Sequence, residues 1–244
     1  MHVYYLAALL VMLAASTAAA QIPEKFENLQ VLPSDVPRPQ LVQRMREFSF
    51  ALGVRCEHCH AEPAEGVANR YKSDVRPAKS QARAMLRMVA TINGTLLTQL
   101  PSHATPAVRV ECVTCHRGLT LPKTLQTTLF EVATTSGGAA AAARYRELRA
   151  SEMATGRYNF GEWEINELAR RLTESGQADA ALAMLETNAE FHPGSAEIDV
   201  LRGDVHRQRG ETEKALVRYR AALAKVPDHP MALRRLQEIE AKIR

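Results

Sequence analysis

The 244-residue sequence predicts a mainly α-helical protein with little sheet, built from two parts. Three observations support this fold class. Apolar residues recur at three- and four-residue spacing in the first half, two copies of a Cys-x-x-Cys-His motif interrupt that pattern, and the second half repeats with a period of 34 residues. We expect the first part at residues 21–125 and the second at 139–244, joined by a linker over 126–138, with a packing arm over 120–138 as the alternative.

The first twenty residues precede both parts. They form an apolar run that ends in three alanines, which is the pattern of a secretory signal peptide with cleavage before Gln21. The run is also long enough to span a bilayer if it is retained. We therefore expect a periplasmic or otherwise extracytoplasmic protein. Association with the membrane through a partner, or through an uncleaved segment, is the open alternative.

The charge of the chain argues against one class of partner. The 31 Lys and Arg residues exceed the 27 Asp and Glu residues by only four, and they are dispersed along the sequence. Such a small excess does not make the concentrated basic surface that nucleic-acid binding requires. We therefore expect protein partners and no nucleic acid.

Two helices are predicted in the first part, and each leads toward one of the two motifs. Gly53 suits the left-handed residue that closes the first helix, and Pro77 suits the first turn of the second. The apolar residues at helical spacing in the first helix are Leu41, Met45, Phe48 and Leu52. Those in the second helix are Met85, Met88 or Val89, Ile92 and Leu96.

All four cysteines of the chain lie in the two motifs. Two thiols at this spacing can bond to the two vinyl groups of one haem, and the histidine that follows can bind its iron. The sequence therefore predicts two covalent haem c groups. A zinc site or a dithiol redox site would explain the cysteines but not the histidine that follows both pairs. The residues concerned are Cys56, Cys59 and His60, then Cys112, Cys115 and His116.

The second axial ligand of each iron decides between electron transfer and catalysis. Met45 lies eleven residues before Cys56, and Met85 and Met88 lie on the helix that precedes the second motif. Core packing is the alternative role for all three methionines. His103, in a loop, is a further alternative ligand for the second iron. An iron closed by methionine carries electrons, whereas an open iron binds peroxide, so a dihaem peroxidase is the alternative to an electron carrier.

The second part carries an internal repeat. Gly176 and Gly210 are 34 residues apart, and pairs of alanines and prolines keep the same spacing. This period is typical of the tetratricopeptide repeat, in which each unit is a helical hairpin. Two copies span roughly 162–229, and a helix near 139–154 and a C-terminal helix are expected to complete the stack. Trp163 is expected in its core.

The first part resembles the cytochrome c subunit of bacterial photosynthetic reaction centres over residues 29–122. The matching segments are LQVLP, LVQRMREFSFALGVRCEHCH, ARAMLRMVATING and VECVTCHRGLTLP. The resemblance implies Met45 as the ligand of the first iron. It also implies Met85 for the second iron, with Met88 then a packing residue and the fallback ligand. That family carries four haems as two pairs, whereas this chain has one pair.

The resemblance also implies a function and partners. It indicates an electron carrier, not an enzyme, in photosynthetic or respiratory electron transport. Its redox partners would be proteins such as a membrane-bound reaction centre or respiratory complex, with docking through the repeat part. A repeat-mediated interaction protein with accessory haems is the remaining alternative.

Overall fold

The computed structural model describes residues 23–62, 69–101 and 108–243. Over these residues the chain is mainly helical and contains no β-strand, which confirms the mainly α fold class. It divides into two compact units, Met1–Pro122 and Lys123–Arg244. The apolar segment 1–20 and His103 lie outside the described residues.

The first helix of the first unit, α1 (Arg38–Leu52), begins and ends as its sequence predicts. Pro37 precedes it, and a further proline occupies its first turn, where the missing N–H costs nothing. Gly53 closes it with φ 67°, a left-handed conformation that glycine adopts without strain. The N–H of Val54 then donates to the carbonyl of Ser49 at 3.0 Å, which satisfies one carbonyl of the last turn.

The second helix, α2 (Pro77–Thr91), is shorter than the helical pattern in the sequence. Its backbone widens into a π-helical turn over Ile92–Leu96 and tightens again over Leu97–Gln99. The side chain of Asn93, within the wide turn, donates to the carbonyl of Val110 at 2.7 Å and accepts from its N–H at 2.8 Å. These two hydrogen bonds hold the π-helical turn against the residues that precede the second motif.

The N-terminal arm is held against the segment that precedes α2. The Asn28 amide donates to the carbonyl of Lys72 at 2.6 Å and to Asp74 Oδ1 at 3.0 Å. The Arg83 guanidinium donates in turn to the carbonyl of Asn28 at 3.2 Å. Hydrogen bonds between side chains and main chain therefore order this part of the first unit.

The second unit is a stack of helical hairpins. Main-chain hydrogen bonds in its turns repeat with the predicted 34-residue period. The N–H of Gln177 donates to the carbonyl of Leu172 at 2.8 Å, and the N–H of Glu211 donates to the carbonyl of His206 at 2.9 Å. The helices that follow the short helix α3 (Cys112–His116) are α4 (Leu125–Ser136), α5 (Gly138–Glu152), α6 (Glu162–Glu174), α7 (Ala178–Phe191), α8 (Ala196–Gln208), α9 (Thr212–Lys225) and α10 (Pro230–Ile243).

Most of the segment expected as a linker, 126–138, is helix. It forms α4, whose residues Leu125, Leu129 and Ala133 are buried in the core of the second unit. Its threonines are compatible with the helix because their hydroxyls donate to carbonyls three or four residues earlier, as Thr135 does to Glu131. The helix therefore adds a hairpin partner for α5.

Trp163 does not lie in the core, and that expectation is wrong. Its side chain is 58% exposed, whereas Ile165, Leu168 and Leu172 on the same helix are buried. These three residues share the face of α6 that packs against the neighbouring helices, and Trp163 lies off that face. Its aromatic character alone could not reveal this orientation.

Among the residues that the structure describes, no helix is both long and apolar enough to cross a membrane.

Candidate functional site

The first site consists of Cys56, Cys59 and His60. Residues Cys56–His58 form a tight helical turn, in which the N–H groups of Cys59 and His60 both donate to the carbonyl of Cys56, at 3.2 and 2.9 Å. This turn follows directly from the left-handed end of α1. Both cysteines are free thiols, the first exposed and the second half-buried. One turn of chain thus carries the two thiols and the imidazole together.

The second site consists of Cys112, Cys115 and His116, which lie on α3. Glu111 caps this helix together with Thr114, whose hydroxyl accepts from the N–H of Glu111 at 3.0 Å. Both of its cysteines are also free. Each motif therefore forms a short helical turn, a 3-10 turn over Cys56–His58 in the first and an α-helix over Cys112–His116 in the second.

A main-chain contact joins the neighbourhoods of the two sites. The N–H of Gly118, just after the second motif, donates to the carbonyl of Ala51 at 2.8 Å, near the end of α1. The backbones approach so closely at Gly53 that an added Cβ would lie 2.3 Å from the carbonyl oxygen of Gly118. The first unit therefore holds α1 directly against α3.

The two histidines are positioned differently. The ring of His60 contacts that of Tyr71 edge-on, with centroids 5.3 Å apart. Burial, reinforced by the charges of Lys79 and Arg70, lowers the pKa of His60 to about 4, so its ring is neutral at physiological pH. A neutral imidazole is the form that binds a metal.

His116 is oriented by the backbone. Its Nδ1 lies 2.8 Å from the carbonyl oxygen of Leu119. A carbonyl can only accept, so Nδ1 carries the proton and Nε2 keeps a lone pair for an iron. The buried Nδ1 of His60 has no hydrogen-bond partner in the described ranges.

One thiol of each pair is shielded from solvent. Burial raises the pKa of Cys59 and of Cys112. Both thiols are therefore held in their neutral form to a higher pH than a free cysteine.

A zinc site shared by the two cysteine pairs is disfavoured. Within residues 23–62, 69–101 and 108–243, no three His, Cys, Asp or Glu side chains are close enough to hold one metal ion. A structural zinc site needs four such ligands around one centre. The two motifs consequently act as separate sites.

The candidate methionines lie on the two helices that precede the motifs. Met45 is half-buried on α1, while Met85 and Met88 on α2 are 44% and 47% exposed. None of the residues of α2 is buried. Both of the α2 methionines are therefore accessible to a bound haem. Their exposure does not show which of them would be the iron ligand.

The first unit has the surface expected of a protein that packs around a large apolar group. Its buried apolar residues, within the described ranges, are Leu41, Ala51 and Ala61. Exposed large apolar side chains outnumber these buried residues in the same unit, so apolar side chains are left that a bound group could cover. Together with the free thiols and the two histidines, they fit haem c. These exposed side chains are Phe50, Val75, Met85, Met88, Leu96, Leu100, Val108, Val113 and Leu121.

Asn93 is a residue of the site region that the sequence did not reveal. Its side chain holds both main-chain groups of Val110, two residues before Cys112. The Asn-Gly pair in an otherwise helical segment is a weak signal, since both residues have low helix propensity. That signal predicts a weak point in the helix, not a tertiary contact.

Comparison with known proteins supports the same conclusion. Residues 10–162 match the family model of the photosynthetic reaction centre cytochrome C subunit. Residues 132–242 match the model of a tetratricopeptide repeat-like domain. Cytochrome c-554 of Chloroflexus aurantiacus is 37% identical over 90 residues, which cover 36% of this chain and 20% of that protein. The chain thus spans about a fifth of the length of that relative.

The first match covers more than half of the chain and includes both sites. It implies covalently attached haem c as the cofactor, in agreement with the cysteines and histidines described above. The chain belongs to the photosynthetic reaction centre cytochrome c subunit family.

Proposed function

We propose that this protein is an exported dihaem c-type cytochrome that carries electrons between protein partners. The observation that carries the proposal is the presence, in one compact unit, of two helical turns with the same set of two free thiols and a histidine. Membership in the reaction centre cytochrome family supports electron transport as the function. The apolar segment 1–20 supports export.

Each site assigns its residues distinct roles. Cys56 and Cys59 hold one haem, and Cys112 and Cys115 hold the other. His60 and His116 bind the two irons on one side. When bound, a haem iron supplies one-electron chemistry by changing between its ferric and ferrous states.

The methionines would supply a second ligand to each iron. Met45 is assigned to the first site and Met85 to the second, with Met88 as the fallback. A thioether ligand excludes water and peroxide from the iron, and it favours the ferrous state relative to a more basic ligand. Closed irons exchange electrons without binding a substrate.

The absorption spectrum of the purified ferric protein tests this function. Two low-spin haems with the red-end absorption band of methionine-to-iron ligation are expected. The competing function is that of a dihaem peroxidase, which requires one open iron. A high-spin component that binds cyanide or peroxide would support the peroxidase and contradict the carrier at that site.

The repeat unit is proposed to dock a redox partner protein. Its match to a tetratricopeptide repeat-like domain supports this role, and a groove with charged walls runs along α6, α8 and α10. The partner would be a reaction centre or respiratory complex. Charged residues that line the groove are Arg170, Glu174, Glu197, Asp204, Arg207 and Arg235.

Charge reversal in the groove tests the docking role. The variants Arg170→Glu and Arg207→Glu should slow reduction of the cytochrome by membranes isolated from the source organism, because they change the local charge that a partner contacts. The absorption spectrum should stay unchanged. Unchanged reduction rates in both variants would argue against docking at this groove.

A further inference from the structure

A buried ammonium group lies beside the first site. Lys79 Nζ donates to the carbonyls of Tyr71 at 2.8 Å, Lys72 at 3.0 Å and Ser73 at 2.8 Å. It also lies 3.2 Å from Asp74 Oδ1, and its side chain is only 13% exposed. Because four oxygen atoms surround it, this positive charge has a fixed position.

The charge is not cancelled by its acidic neighbour. Asp74 Oδ1 also forms an ion pair with Arg83 at 3.0 Å, so this carboxylate is shared between two cations. Arg70 adds a third cation, with its guanidinium 4.8 Å from the centroid of the Tyr71 ring. The surroundings are therefore positive overall.

Tyr71 connects these cations to the first iron ligand. Its carbonyl accepts from Lys79, and its ring contacts that of His60. Lys79 and Arg70 both contact Tyr71, the residue whose ring lies against His60. The first site thus lies in a positive electrostatic potential.

The surroundings of the second site are different. Glu111 places a carboxylate at the start of its helix. Cations lie near this site as well, but they are exposed to solvent: Arg117 follows His116, and Arg44 is 57% exposed and pairs with Glu47 at 2.9 Å, so their effect is weaker than that of a shielded charge. The hydrogen bond from His116 to Leu119 makes the imidazole a stronger electron donor to a metal.

We propose that Lys79 raises the reduction potential of the haem at the first site above that of the haem at the second. The inference rests on the proposed dihaem function. Reduction removes one positive charge from the iron, so a nearby cation favours the ferrous state. The Lys79 side chain is largely shielded from solvent, and salt therefore screens its charge less than that of an exposed residue. In the half-reduced protein, the electron resides at the first site.

A redox titration of the full holoprotein tests the proposal. The native protein should show two one-electron components whose equilibrium constants differ at least about tenfold, which is 59 mV for a one-electron couple. Lys79→Met should lower the higher potential by a similar amount and leave the lower potential unchanged. Lys79→Arg should preserve both potentials. Two equal potentials in the native protein, or a shift confined to the lower potential, would overturn the proposal.

Two glutamate variants test the assignment without disturbing the hydrogen bonds of Lys79. Glu57→Gln should raise only the higher potential, and Glu111→Gln should raise only the lower one while its amide oxygen still caps the helix. If each variant moves the opposite component, the assignment is reversed and the proposal fails. If the native protein carries fewer than two haems, the dihaem function is refuted. If it carries two closed haems whose reduction potentials do not change in these variants, only the inference about Lys79 is refuted.

Discussion

At the scale of single residues, the two sites share a motif but not an environment. His60 lies in a pocket with Tyr71 and is neutral because of burial. His116 owes its orientation to the carbonyl of Leu119. The motif predicts attachment and the proximal ligand, and the folded surroundings make the two sites unequal.

The methionine assignment is testable by substitution. Met45→Ala and Met85→Ala should each open one iron, because each removes a proposed thioether ligand. Each variant should gain one high-spin haem in its ferric absorption spectrum, while the other haem stays low-spin. Met88→Ala is the matched control, since its side chain lies on the same helix with nearly the same exposure as that of Met85. A high-spin haem in the Met88 variant, with none in the Met85 variant, would transfer the role to Met88.

At the scale of elements, the contact between α1 and α3 holds the first unit together. The left-handed Gly53 ends α1 and lies against Gly118, which follows the second motif. The sequence could predict that Gly53 closes a helix, because glycine is the usual residue at that position. It could not predict the partner, since the two glycines are distant along the chain.

Gly53→Ala should destabilise the first unit. The added methyl group would be strained at φ 67° and would clash with the carbonyl of Gly118. The left-handed strain alone costs about 1–3 kcal/mol. The thermal unfolding midpoint, followed by the loss of the low-spin haem spectrum, should fall by several degrees. Gly94→Ala is the control, because nothing lies within 4 Å of its added Cβ, and its midpoint should stay close to that of the native protein.

The hairpins of the second unit depend on a similar close approach. A Cβ at Gly203 in α8 would lie 2.4 Å from the ring of Tyr219 in α9, whose hydroxyl donates to Asp204 at 2.8 Å. The tetratricopeptide pattern has a glycine and an aromatic residue at these positions, whereas the preceding copy in this chain has Ala169 and Leu185. The tyrosine ring occupies the space that the missing side chain leaves.

Gly203→Ala should therefore destabilise the second unit without changing the haem spectrum. Overpacking of this kind costs about 1–3 kcal/mol. Chemical denaturation of the full protein, followed by helical circular dichroism, should show a lower unfolding midpoint. Gly194→Ala serves as the control, because its added Cβ meets nothing within 4 Å. Equal midpoints for the two variants would contradict the packing role of Gly203.

At the scale of the whole molecule, the two parts of the chain differ in net charge. Residues 21–122 contain 13 Lys and Arg against nine Asp and Glu, whereas 123–244 contain 18 of each. The net charge of +4 therefore belongs entirely to the part with the two sites. Since the repeat part is neutral overall, docking there depends on the local pattern of charges in its groove.

The sequence predicts the helical architecture because its signals are local. Glycine caps, proline starts and the repeat period each act within a few residues or recur regularly. One reason explains why the sequence does not predict the exposure of Trp163, the packing of α4 and the contact of Asn93. Each depends on neighbours that folding brings close. The roles of Met85 and Met88 stay open at the level of sequence pattern, because three residues separate them on one helix.

The repeat unit should lose stability in acid. The guanidinium of Arg146 lowers the pKa of Glu190, and the ring of His206 lowers that of Glu211. A folded pKa below the unfolded value of about 4.3 means that the stabilisation is complete above that value. It is lost as the pH falls through the folded pKa. The thermal midpoint should accordingly decrease as the pH falls below about 4.3.

A matched pair of variants isolates this contribution. Glu190→Gln removes the carboxylate that Arg146 binds, so the thermal midpoint should depend less on pH in that range. Glu213→Gln, at an exposed position, should keep the native dependence. If the thermal midpoint of both variants depends on pH as that of the native protein does, the ion pair with Arg146 is not a source of the acid sensitivity.

The number of haems bound covalently to each chain is the most direct test of the central claim. The mass of the denatured protein, purified after expression with a haem attachment system, reads this number. The account predicts two haems on every chain, each attached through one of the two motifs. A chain that carries one haem or none would contradict the assignment of Cys56, Cys59, Cys112 and Cys115 as two haem sites.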